Sequence, residues 1–196
     1  MFGKNLKTIV LIAAAVVSTG ASAHLGNDAG VHHSFLDGLV HPLTGMDHMA
    51  AMVAVGLWSA MTARRVWLAP IAFAGMLFVG ALLGLGGLEL PAVEPMIAAS
   101  LLVLGLLVAT QAKLPAALAA SVVGAFAIFH GVAHGTELAG GDNGWMPLVG
   151  MLVATIGLHL AGVGIGLAMR SHSAWWPRVV GGLVTLLGGA FLLQLI

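Results

Sequence analysis

Residues 66–86 read Val66-Trp-Leu-Ala-Pro-Ile-Ala-Phe-Ala-Gly-Met-Leu-Phe-Val-Gly-Ala-Leu-Leu-Gly-Leu-Gly86, without a charged side chain in the run. As a helix at 1.5 Å per residue, this stretch is about 31 Å long, the thickness of a bilayer's hydrocarbon core. Arg64 and Arg65 close it on one side and Glu89 lies just beyond the other. Five more apolar segments extend the pattern, giving expected spans near 42–62, 66–86, 94–111, 114–134, 146–169 and 178–196. The 196-residue chain is 60% hydrophobic and only 7% charged, and its mean hydropathy is +1.06. Such values fall outside the soluble range. The expected fold class is an all-α membrane protein, a compact bundle of about six transmembrane helices.

Residues 1–23 have the form of a secretory signal peptide. Lys4 and Lys7 supply a basic start, Ile9 to Val17 an apolar stretch too short to span, and Ala21-Ser22-Ala23 a small-residue cleavage site. Residues 24–196 then form a single six-span domain whose mature N-terminus is His24. Arg64, Arg65, Lys113, Arg170 and Arg178 fall in alternate loops, and the intervening loops carry Glu89, Glu94, Glu137 and Asp142 without lysine or arginine. By the positive-inside rule the basic loops are cytoplasmic and the acidic side, with the mature N-terminus, is outside. No basic run suggests nucleic acid as a partner.

Ionisable groups inside lipid are expensive and rare without a function. Two clusters occur here: His41-Pro-Leu-Thr-Gly-Met-Asp47-His48 in the first span, and His130-Gly-Val-Ala-His134-Gly-Thr-Glu137 at the end of the fourth. His48 is 16 residues from Arg64 and His130 is 17 from Lys113, so both lie about 24–26 Å from the basic edge. If the two spans touch, the clusters make one site. His130, His134 and Glu137 share a face if their helix persists, and imidazoles four residues apart can chelate one divalent ion. With no cysteine in the chain, metal must be held by imidazole, carboxylate, thioether or backbone, which suits nickel, cobalt, copper or zinc.

Local alternatives accompany each reading. Pro42 suits the first turn of a helix, and Thr44-Gly-Met-Asp47 fits a capping pattern in which Asp47 satisfies free backbone donors. Asp47 can at the same time orient His48. His159, in the fifth span, is either a packing residue or the next ligand along a path. His24, His32 and His33 precede the spans and either collect metal or form a solvated tail. Met46, Met49 and Met52 are soft enough for Cu(I) but also ordinary in apolar helices. The glycines within spans suit close helix packing.

Together, the signal sequence ending before a histidine, the six spans and the two motifs closely resemble the HupE/UreJ family of bacterial nickel or cobalt permeases. The resemblance covers essentially the whole mature chain. It implies that His41, Asp47, His48, His130, His134 and Glu137 carry the transported ion, and it implies an association with hydrogenase or urease maturation. The expected activity is secondary or facilitative uptake of Ni²⁺ or Co²⁺ from the periplasm, with no permanently bound cofactor and no nucleotide site. The ligand types alone leave open an intramembrane metal-dependent enzyme with Glu137 as base, or a haem carrier with His48 and His130 as axial ligands.

Overall fold

The computed structural model describes residues 34–138, 145–171, 173 and 175–195. The expected signal peptide, His24, His32, His33 and Asp142 lie outside the described residues. Seven helices and no strand occur among the described residues: α1 Phe35–Thr44, α2 Met46–Thr62, α3 Leu68–Leu85, α4 Val93–Thr110, α5 Ala116–Leu138, α6 Trp145–Met169 and α7 Trp175–Leu192. Helices α3 to α7 are 18–25 residues long, each apolar enough to cross a membrane. Their outward faces carry exposed Leu82, Leu106, Ile156, Leu160 and Leu186, as lipid contact requires. The chain is an all-helical, multi-pass membrane protein.

The first span departs from the expected single helix at 42–62. The backbone turns extended at Gly45 (φ −81°, ψ 110°), which ends α1 and starts the 17-residue α2. Pro42 therefore sits in the last turn of α1, not in the first turn of a span. The Thr44–Asp47 capping pattern does not form either. Thr44 Oγ1 donates to His41 O at 2.8 Å, and no side chain caps α2. A capping box forms ten residues earlier, where Ser34 and Asp37 bond reciprocally at the start of α1.

Glycine determines which helices pack closely. Gly80 and Gly84 of α3 lie against Gly131 and Gly135 of α5, backbone to backbone. Gly56 of α2 meets α6 at Gly162, and Gly38 of α1 meets α6 at Pro147. Gly105 of α4 faces Gly181 of α7. Within lipid, such small-residue seams supply the van der Waals contact that burial from water supplies elsewhere. They tie α3 to α5, and α1 and α2 to α6. At one end of the bundle, Trp58 Nε1 donates to Ala112 O at 2.8 Å and Arg170 donates to Ala60 O. This gathers the segments that carry Arg64, Arg65, Lys113 and Arg170. Glu89 and Glu94 are exposed in the loop between α3 and α4 and at the start of α4.

A candidate metal centre

Helix α5 runs unbroken to Leu138, so His130, His134 and Glu137 do share a helix face. Across from them, α1 supplies His41 and the start of α2 supplies Asp47 and His48. The structure brings all six residues together. Ring centroids step from His41 to His134 at 4.7 Å, from His134 to His48 at 4.4 Å and from His48 to His130 at 5.0 Å. The break at Gly45 makes this possible, because it lets α1 place His41 beside α5.

The imidazoles of His48, His130 and His134 are each oriented through Nδ1. His48 Nδ1 donates to Asp47 Oδ1 at 2.8 Å, and the same oxygen accepts the His48 backbone N–H at 2.8 Å. His134 Nδ1 donates to Glu137 Oε2 at 3.4 Å, and His41 Nε2 donates to that oxygen at 3.1 Å. His130 Nδ1 donates to Phe126 O, one turn back, at 3.0 Å. This pattern assigns the proton of His48, His130 and His134 to Nδ1 and leaves the Nε2 lone pair as the free donor. The Nε2 atoms of all three are buried without a hydrogen-bond partner. An imidazole whose far nitrogen is held by a carboxylate or carbonyl is the usual form of a metal ligand.

Leaving a buried polar atom unpaired costs about 1–3 kcal/mol. Three such nitrogens on neighbouring rings therefore cost several kcal/mol together, which binding of a ligand there would relieve. Nearer the surface, donor atoms of His41, His134 and Glu137 lie within 4.8 Å of one another. The Glu137 side chain is 45% exposed, so this end forms the mouth. A small cavity there is also lined by Asp37, Gly38 and Met151.

His159 lies apart from the six. Its Nδ1 donates to Met52 O at 2.8 Å, one turn along α2 from His48 and about 6 Å deeper. The Phe73 ring touches both His130, at 5.5 Å, and His159, at 5.2 Å. Sequence reasoning missed Phe73, since a phenylalanine in an apolar helix carries no mark of its neighbours. It also missed Asp37, whose Ser34-x-x-Asp37 capping pattern was legible.

A family model described as HupE / UreJ protein matches residues 12–191. The chain belongs to the HupE/UreJ family. Protein HupE of Rhizobium leguminosarum bv. viciae is 42% identical over 192 residues, covering 96% of this chain and 98% of that relative. No solved structure matches the chain. HupE/UreJ is a transporter family and not an enzyme family, which removes the metal-dependent enzyme that the ligand types left open.

Proposed function

We propose that the chain is a secondary or facilitative permease for a divalent transition metal, Ni²⁺ or Co²⁺, taken up from the periplasm across the inner membrane. The observation that carries this reading is the set of three buried, unpartnered Nε2 atoms of His48, His130 and His134. Each belongs to a ring already oriented at Nδ1. Nitrogen and oxygen donors without thiolate suit nickel and cobalt.

The basic end of the bundle faces the cytoplasm, so the His41–Glu137 mouth opens outward. A hydrated ion sheds part of its water against Glu137 and His41. It then exchanges the remainder for the lone pairs of His134, His48 and His130 in turn. Asp47 and Glu137 keep the rings in the tautomer that presents those lone pairs, and they offset the incoming charge. Because conduction needs release as well as capture, the ion passes as substrate and does not stay bound. The imported metal feeds a hydrogenase or urease maturation system.

The test is uptake into proteoliposomes containing a metal-sensing dye, with Ni²⁺, Co²⁺, Zn²⁺ and Cu²⁺ offered separately. Selective nickel or cobalt entry that a His48→Ala, His130→Ala double variant loses is the expected result. Failure of every metal to enter the wild-type vesicles refutes the proposal.

A further inference from the structure

Beyond the outer cluster, two more buried polar atoms among the described residues lack a partner: His159 Nε2 and Thr155 Oγ1. They are one turn apart on the same face of α6, His159 2% exposed and Thr155 fully buried. The bond from His159 Nδ1 to Met52 O leaves its Nε2 as a lone pair, the same arrangement as in His48, His130 and His134. Phe73, fully buried on α3, is in contact with His130 on one side and His159 on the other. Further inward the core is largely apolar, with Val55, Leu57, Trp58, Leu101 and Leu104 buried; the buried Ser59 there is paired with Val66 O, and no other unpartnered buried side-chain nitrogen or oxygen occurs there among the described residues.

We propose that His159, with Thr155 beside it, is a second, inner metal station that receives the ion from His130, and that the Phe73 ring is the gate between them. The inference rests on the permease reading and adds a site and a barrier to it. Beyond His130, the remaining unpartnered buried side-chain nitrogen or oxygen atoms among the described residues are those of His159 and Thr155, and the ring of Phe73 stands against both His130 and His159. Rotation of that one side chain joins the two stations. The inner station belongs to the α2–α6 unit and the gate to the α3–α5 unit, so the transfer crosses the seam between two glycine-locked helix pairs.

His159→Asn separates a ligand from a packing residue. Asparagine keeps an N–H at the δ position for Met52 O but has no atom in place of Nε2. In proteoliposomes loaded with a Ni²⁺-sensing dye, His159→Asn is expected to lower maximal uptake about tenfold or more. Its half-saturating Ni²⁺ concentration, and Ni²⁺ binding to the purified protein by calorimetry, are expected to stay within about twofold of wild type. Phe73→Ala is expected to raise maximal Ni²⁺ uptake, and to lose that gain when combined with His159→Asn.

Wild-type uptake in His159→Asn overturns the station. So does a parallel loss of uptake, Ni²⁺ binding and thermal stability, which marks a packing role. Slower uptake by a normally folded Phe73→Ala overturns the gate. Failure of the permease reading itself looks different: wild type and the His48→Ala, His130→Ala variant would then both exclude Ni²⁺.

Discussion

A methyl group placed at Gly84 tests whether the seam between α3 and α5 sets the spacing of the metal donors. A Cβ at that position would lie 2.6 Å from Val132 O, 2.9 Å from Thr136 N and 3.0 Å from Gly135 Cα, all backbone atoms that cannot rotate away. Ordinary contact begins at 3.4 Å, so Gly84→Ala forces the two helices about 0.8 Å apart. The segment pushed, Val132–Thr136, contains His134 and leads into Glu137. Moved by that amount, the 3.1 Å contact from His41 to Glu137 changes by up to about 0.8 Å, enough to spoil its hydrogen-bond geometry. Overpacking of this kind costs about 1–3 kcal/mol in stability. Displacement of a reacting group by 1 Å can cost about a hundredfold in rate, so Ni²⁺ uptake should fall between about tenfold and a hundredfold. Gly157→Ala on α6 is the matched control. Its added methyl meets nothing within 4 Å, and both stability and uptake should match wild type. Dye-reported uptake in proteoliposomes and thermal melting in detergent read both variants. Wild-type uptake and melting in Gly84→Ala would refute the claim that this seam spaces the donors.

Two further outcomes follow from the donor geometry. Asp47→Asn keeps an oxygen for the His48 N–H groups but removes the charge that orients and polarises the ring, so Ni²⁺ affinity measured by calorimetry should weaken about 10–100-fold with the fold intact; unchanged affinity would make Asp47 a backbone partner alone. External pH should matter in one direction only: imidazole and carboxylate bind metal only when deprotonated, so acidifying the outer face should reduce uptake and restoring the pH should recover the rate. Uptake that rises on acidification would count against imidazole and carboxylate ligation.

The bilayer-spanning character was legible because hydropathy and length leave few alternatives for 18–25-residue apolar runs. Counting residues from Arg64 and Lys113 also placed His48 and His130 at matching depth. The pairing of helices was less accessible. Glycines occur throughout the spans, and their identity does not reveal that Gly84 meets Gly135 while Gly157 meets nothing. The start of the first span was misread for a related reason. Pro42 and the apolar residues around it fit a helix start as well as a helix end, and only the extended backbone at Gly45 separates the two. Phe73 and the Met52–His159 bond depend on contacts between distant helices, for which single-chain periodicity carries no signal.

The central claim is that oriented imidazole nitrogens hold the ion as it passes. X-ray absorption at the nickel edge of the Ni²⁺-loaded, purified protein tests it most directly. The prediction is a nitrogen and oxygen shell with scattering from more than one imidazole, lost in the His48→Ala, His130→Ala variant. An oxygen-only shell, identical in wild type and variant, would contradict it.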